Sequence, residues 1–473
     1  MSKKDYDVII IGAGPTGIFT AMEFVKKEAD LDILILEKGT DLERRVCPMK
    51  ENPGMGCVNC PSCAIVSGWG GAGAYSDGKL SLSPDIGGNL ENYIGREQLI
   101  DNISYADDIY MEFGAPDRVF GVAKDKQDEI RKKAVKAELK FIPASLRHLG
   151  TGYSQVVLQN MQDYLEEKDV EVRFGVNVKQ FIVEDDKIEA VKTAAGEKIT
   201  ADFVMTAAGR ENAEWLTNQA QKLDINTAIN PIDIGVRVEC PAAVTEYMTD
   251  NLYESKLIYH TPSFEDKVRT FCMSPYGEVV SENNQGLITV NGHSHSDLKT
   301  NNTNFALLVS KTFTEPFHEP IKYGKDIAKL ANMLAGGVLV QRLGDLLEGR
   351  RTTEKRLKRS VTEPTLKDAT PGDLSLVLPH RHLTGIIEML KALDKITPGI
   401  YGRDTLLYGV EVKFYSSRLN VNNNLESKIE NLFFGGDGAG ITRGLMQASV
   451  SGLVIARSIM EKLNKKKTRS RSL

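Results

Sequence analysis

The stretch that most constrains this chain runs from Tyr6 to Lys38. Val8 to Ile11 is an apolar run without alternation, as expected of a parallel strand buried on both faces. Gly12, Gly14 and Gly17 follow at once as G-x-G-x-x-G. Ile18, Ala21, Met22 and Val25 then recur at helical spacing. Ile33 to Leu36 predicts a second buried strand, closed by Glu37.

Each glycine answers a physical requirement. Gly12 permits the tight turn, Gly14 lets backbone approach a pyrophosphate, and Gly17 lets the helix pack on the sheet. The helix N-terminus offers unpaired N–H groups and the positive end of its dipole to phosphates. Glu37 lies about 20 residues past the last glycine, where a carboxylate can hold ribose hydroxyls. Strand, turn, helix, strand and acid in this order point to a dinucleotide.

The 473 residues suffice for two or three domains. A net charge of −5 argues against global attraction to nucleic acid or membrane. The first strand begins at residue 6, leaving no room for a secretory leader, and no apolar run reaches about 18 residues. A cytoplasmic protein is expected, in which six cysteines are thiols or metal ligands rather than disulfides. The basic tail 465–473 suits a solvated terminus, with contact to RNA or an anionic surface as the alternative.

Arg44 to Cys63 is loop-like, broken by Pro48, Pro53, Gly54, Gly56 and Pro61. Ser67 to Leu80 is rich in small residues, including Gly71, Ala72 and Gly73, and suits backbone wrapped around a ligand. Arg96 to Leu139 reads as helical and charged. Tyr153 to Glu167 reads as an amphipathic helix with Val156, Val157, Met161 and Leu165 on one side. Strands follow from Val170 to Thr206, and Ala207-Ala208-Gly209-Arg210 ends the last of them. From Ile225 to Tyr401, strand and helix patterns mix without a second G-x-G-x-x-G. Leu432 to Phe434 is a late apolar strand running into Gly435-Gly436-Asp437, before a helix from about Arg443 to Leu463. Asp437 reads alone as an N-terminal cap. After the first fingerprint and Ala208-Gly209 it reads as a second cofactor contact.

Cys47, Cys57, Cys60 and Cys63 are spaced C-x9-C-x2-C-x2-C. The last three match ferredoxin-type ligand spacing, with Cys47 upstream as a fourth thiolate, and [4Fe-4S] is the leading expectation. Zinc, or redox and structural thiols, are the alternatives. His293-Ser294-His295 and His380-Arg381-His382 would each place two rings on one side if extended. Lys413 precedes the return to the nucleotide fold. His293, His380 and Lys413 are therefore weak catalytic candidates, and no general acid or base is assigned.

Ser76-Asp77-Gly78-Lys79-Leu80, Gly349-Arg350-Arg351, Pro371-Gly372-Asp373-Leu374 and Val412-Lys413-Phe414-Tyr415-Ser416 carry a resemblance over most of the chain. It resembles the FAD-dependent dehydrogenases of the glutathione-reductase superfamily that have one dinucleotide fold. The resemblance implies FAD bound through Gly12, Ala13, Gly14, Pro15, Thr16, Gly17, Glu37, Lys38, Gly71, Ala72, Gly73, Val178, Ala208, Gly209, Gly436, Asp437 and Gly444. It implies Asp437 on the ribityl chain and the last helix facing the pyrimidine edge of the flavin. The Ala-Ala-His pattern of flavin monooxygenases does not follow Gly436-Asp437.

The expected fold is α/β: a discontinuous Rossmann-like FAD domain (1–100, 145–225 and 400–464) with an inserted α+β substrate or cap domain (225–400) and a helical insertion (100–145). The expected activity is an FAD-dependent oxidoreductase acting on a small organic molecule. NAD(P)H or a ferredoxin-like protein would supply electrons, the latter through the cluster; neither membrane nor nucleic acid is an expected partner. A flavin-dependent RNA-modifying enzyme and a non-enzymatic FAD-binding assembly factor are the alternatives.

Overall fold

The first apolar run forms the strand β1 (Tyr6–Ile11), and Pro15 opens the helix α1 (Pro15–Lys26). β2 (Ile33–Glu37), α2 (Arg96–Glu112), α3 (Thr151–Glu167) and β3 (Glu171–Phe174) follow. Then come β4 (Val178–Glu184), β5 (Lys187–Thr193), β6 (Lys198–Thr206), β7 (Leu432–Phe434) and α4 (Leu445–Arg471). This computed structural model describes residues 4–52, 58, 60–284, 286–294, 299–314, 316–317 and 319–471.

The chain divides into two compact units: Met1–Arg118, Arg147–Asn230 and Ser416–Leu473 form the first, Val119–Leu146 and Pro231–Tyr415 the second. Among the described residues, the first unit contains a seven-stranded sheet ordered β3-β2-β1-β6-β5-β4, with β7 also on β6. β3, β2, β1, β6 and β7 run parallel, while β5 and β4 turn back antiparallel. Val8, Ile9 and Ile10 are fully buried, each contributing about 2 kcal/mol of burial. Asp185 and Asp186, both at positive φ, make the β4–β5 turn, as short polar side chains tolerate that conformation.

The late return of the chain is held by small residues. Thr16 Oγ1 donates to the Ala448 carbonyl at 3.0 Å, and Thr20 Oγ1 to that of Gly452 at 3.2 Å. A Cβ on Gly452 would stand 2.3 Å from the Thr16 carbonyl oxygen, so only glycine lets α1 and α4 approach this closely. α4 also runs to Arg471, past the expected stop, so the basic residues from 465 to 471 extend a helix.

The second unit contains, among the described residues, an eight-stranded sheet, mainly antiparallel. Its long central strand is Ile232–Pro241. Ile232, Ile234, Val236 and Val238 join a core with residues of the helices Pro320–Ala335 and His380–Asp394.

Three expectations change. The segment 100–145 is not one insertion: α2 lies in the first unit and the helix Lys124–Lys136 in the second. Residues 400–415 belong to the second unit, since the strand Leu406–Lys413 pairs with Ile232–Pro241. On α3, Val157, Met161 and Leu165 are buried but Val156 is exposed, because the apolar stripe continues through Leu158 instead.

Candidate functional site

β1, β2, β6 and β7 are parallel, so Ile11, Glu37, Thr206 and Phe434 end at one edge of the sheet. β2 and β6 flank β1 on opposite sides, so the loops leaving β1 and β6 open a crevice, the usual ligand position in such sheets. The Gly70 N–H donates to the Ala13 carbonyl at 2.7 Å. Added Cβ atoms would meet Gly14 Cα at 3.2 Å from Gly71, Thr16 Oγ1 at 2.7 Å from Gly436, and the Ala208 carbonyl oxygen at 1.9 Å from Gly438. Segments around 12–17, 68–75, 207–210 and 435–444 therefore converge.

The three fingerprint glycines separate by function. Gly12 has φ +101°, and its Cβ would stand 2.9 Å from the Ala207 carbonyl oxygen; that of Gly17 would stand 2.0 Å from the Gly12 carbonyl oxygen. Both are required by the fold itself. A Cβ on Gly14 would meet nothing within 4 Å. The space beside it is left open by the protein, at the start of a helix with no side-chain cap. Open space and unclaimed N–H groups together fit a pyrophosphate.

Glu37 is buried, and its carboxylate accepts three backbone N–H groups: Ala13 at 2.9 Å, Gly39 at 2.8 Å and Gly68 at 2.9 Å. It ties the fingerprint loop to the small-residue loop. Lys38 pairs with Glu211 at 2.8 Å and donates to Asn212 Oδ1 at 3.0 Å. Val178 is buried in the apolar core, and Ala72 is exposed. Asp437 Oδ1 accepts from Thr442 Oγ1 at 2.7 Å and from the Gly444 N–H at 3.1 Å, while Arg210 Nε lies 4.0 Å from Oδ2. Thr442 and Arg210 thus join the site through contacts that no local pattern announces.

Arg45 was equally hidden in a loop-like stretch. Its buried guanidinium donates to the carbonyls of Ala64, Ile65, Trp69 and Gly71 at 2.6–2.9 Å. It lies 4.9 Å from the Tyr75 ring centroid. The side chain ties Ala64 and Ile65 to the small-residue loop. Cys47 precedes a short helix, Pro48–Glu51, in a stretch expected to be loop, because Pro48 suits the first helical position. Cys47, Cys60 and Cys63 are partly exposed, while Cys57 lies outside the described residues. Among the described residues no three His, Cys, Asp or Glu side chains are grouped to hold a metal.

In the second unit the central strand turns Asp233, Arg237 and Glu239 away from its apolar face, all buried. This three-member charge alternation within an apolar strand is legible in the sequence. Arg269 donates to Asp233 at 2.6 Å, and Tyr415 OH donates to the same carboxylate at 2.7 Å. Burial alone would raise the Asp233 pKa, but Arg269, with Ser310 and Tyr415, holds it below the usual carboxylate value. Lys413 is also buried, 3.0 Å from Glu411 Oε1. Burial opposes its charge, but Glu411, with Glu282 and Cys272, more than offsets this and its pKa is raised.

His293 ends the strand Leu287–His293, and His295 lies outside the described residues. The second histidine pair departs from expectation. His380 to His382 form the first turn of a helix, not an extended segment, so His380 is exposed and His382 buried. Burial lowers the His382 pKa to about 4. Its contribution to stability is complete above the unfolded value of about 6.5 and is lost as pH falls toward 4. His382→Gln should lose about 3 kcal/mol less stability than the parent between those limits, as measured by denaturant titration at each pH.

Residues 132–242 match the family model for pyridine nucleotide-disulphide oxidoreductases. This partial match supports an FAD-dependent oxidoreductase. Residues 231–414 match the FAD-dependent protein, C-terminal domain-like family, and this range begins and ends within a residue of the larger segment of the second unit. An uncharacterized protein of Clostridium beijerinckii is 26% identical over 96% of this chain and 81% of its own length. L-proline dehydrogenase from P. horikoshii aligns at 12% identity over 98% of this chain and 95% of that chain, TM-score 0.41. The 3-ketosteroid-Δ4-(5α)-dehydrogenase of Rhodococcus jostii aligns at 13% identity over 97% and 98%, TM-score 0.44. Among the described residues no helix is long and apolar enough to cross a membrane.

Proposed function

We propose that the protein passes two electrons between a reductant and a small organic molecule, with FAD bound non-covalently by the first unit and substrate recognised by the second. The observation carrying this reading is the open space at Gly14 before an uncapped helix, within converging loops. The backbone N–H groups at the start of α1 would hold the pyrophosphate, and Asp437 with the 435–444 loop would hold the ribityl side. FAD supplies reversible two-electron chemistry. Arg45 and Glu37 keep the surrounding loops in place; neither is assigned a proton-transfer role.

The electron donor distinguishes two versions of the proposal. NAD(P)H would reduce the flavin directly. A ferredoxin-like protein would call for an iron–sulfur relay on the cysteine segment, which Arg45 supports by tying Ala64 and Ile65 to Trp69 and Gly71. Among the described residues Cys47, Cys60 and Cys63 form no group of three metal ligands.

Anaerobic purification followed by flavin, iron, sulfide and zinc analysis tests both levels. About one FAD per chain, bleached by dithionite or NAD(P)H and reoxidised by an organic acceptor, is the expected result. Absence of flavin after reconstitution would overturn the proposal. About four iron and four sulfide, lost in Cys60→Ser, would select the relay. One zinc without sulfide would reject it.

A further inference from the structure

The second unit carries a basic stretch that its own acids do not neutralise. From Arg350 to Arg359 there are six cations and one acid, Glu354, in a chain whose net charge is −5. Like charges this close repel one another, so the fold has to hold them in place.

One buried carboxylate does so. Asp345, in the helix Leu343–Leu347, lies 2.9 Å from Arg350 Nε and 3.8 Å from both Arg342 Nη1 and Arg356 Nε. Three guanidinium groups therefore share one acid, which also accepts from Thr352 Oγ1 at 2.9 Å. Arg342 pairs further with Asp404, and the Val361 N–H donates to that carboxylate at 3.3 Å. Thr353 caps the short helix Glu354–Leu357, and Arg356 Nη1 donates to the Arg351 carbonyl at 2.9 Å. The Gly344 N–H donates to the Arg403 carbonyl at 3.0 Å, and the Thr352 N–H to the Gly372 carbonyl at 2.9 Å. Gln341 donates to the Arg350 carbonyl at 2.9 Å and accepts from the Leu374 N–H at 2.8 Å. The segments around 342–361, 371–376 and 403–404 thus make one surface.

Five cations of this surface are left over. Arg351, Lys355, Lys358, Arg359 and Arg403 are all exposed, and none of them is in an ion pair among the described residues. Arg350, by contrast, also reaches Glu348 at 3.0 Å. Three aliphatic side chains stand on the same segments: Leu347 is 43% exposed, Leu376 64% and Val361 81%. Single exposed aliphatic groups are ordinary, but several of them rimmed by charge mark an interaction surface.

We propose that this surface docks another protein, through a segment of that partner in which carboxylates stand among aliphatic side chains. The planar fork of arginine matches a carboxylate with two hydrogen bonds. Arginine is enriched at protein–protein interfaces, whose cores are apolar. Asp345 already orders Arg350 and Arg356, so less side-chain freedom is lost on docking. Nucleic acid is the rival polyanion. Its single strands gain affinity by stacking bases on aromatic rings, whereas the exposed apolar groups here are aliphatic. The surface lies wholly within the second unit and stands whether or not the flavin proposal does.

The test uses the FAD-loaded, full-length protein and the fluorescence anisotropy of two labelled probes. One is a synthetic peptide of glutamate and leucine, the other a single-stranded oligouridylate of equal charge. The peptide should bind with a Kd of about 10 μM or tighter at about 50 mM salt, and at least about tenfold more weakly at about 500 mM. Replacing its leucines by serine should weaken binding about threefold or more. Arg351→Glu with Arg359→Glu should weaken it at least about tenfold. Lys168→Glu with Lys222→Glu, at exposed cations of the first unit, should leave it unchanged. Flavin content and melting temperature should match the parent in both proteins. No peptide binding at about 100 μM, tighter binding of the oligouridylate than of the peptide, or an equal loss in the two charge-reversed proteins would overturn the proposal. The two probes are compared on the parent protein, so that reading holds even where a variant fails to fold.

Discussion

Gly14→Val is expected to abolish FAD binding while leaving the cofactor-free protein folded. A Cβ at this position finds nothing within 4 Å, so the first atom of a side chain is accommodated. It would occupy the space that the pyrophosphate needs, and it would hold phosphate away from the first N–H groups of α1. A loss of at least about 100-fold in affinity is expected, about 2.7 kcal/mol. Isothermal titration or recovery of flavin fluorescence measures it. Far-UV circular dichroism and the melting temperature of the apoprotein should match the parent. Gly17→Val is the contrasting variant: its Cβ would stand 2.0 Å from the Gly12 carbonyl oxygen, so the fold itself should fail. Equal FAD affinity in Gly14→Val and parent would remove the nucleotide from this crevice.

Glu37→Ala is expected to destabilise the protein even without cofactor. The carboxylate is buried and accepts the N–H groups of Ala13, Gly39 and Gly68. Truncation leaves three buried donors without an acceptor, at roughly 1–3 kcal/mol each where water cannot enter. A loss of about 3 kcal/mol or more is expected, which is roughly 6 °C or more in apoprotein melting temperature. FAD affinity should fall with it, because the same three segments shape the crevice. Glu37→Gln retains one acceptor oxygen and should lie between the two. An unchanged apoprotein melting temperature with weakened FAD binding would instead assign Glu37 to the ribose alone.

The first unit was legible because its signals are local. An apolar run, three glycines and a helical stripe lie within about 20 residues, and their physics is that of one turn and one strand. The late strand Leu432–Phe434 with Asp437 was legible for the same reason. Local patterns also misled. His380-Arg381-His382 suggested two rings on one side of an extended segment; Pro379 at the N-cap and the following helical stripe instead start a helix there. The apolar stripe of α3 passes through Leu158 rather than Val156, a choice between adjacent residues that periodicity alone does not make.

By itself the sequence determined that the chain carries a parallel α/β nucleotide fold, that Gly12, Gly14 and Gly17 start it, and that a second region interrupts it. Those properties follow from backbone conformation and from burial repeated along the chain. Only the tertiary structure decided which glycine serves the fold and which leaves room for a ligand, because that depends on atoms far away in sequence: Ala207 opposite Gly12, and none opposite Gly14. Only it joined Glu37 to Gly68, and Arg45 to Ala64 and Gly71. It likewise brought Arg269 and Tyr415 to Asp233, and Arg237 to Glu411, from separate segments. Arg237 and Glu411, far apart in the chain, have no common local pattern. Strand pairing sets them 3.6 Å apart, where burial strengthens their interaction.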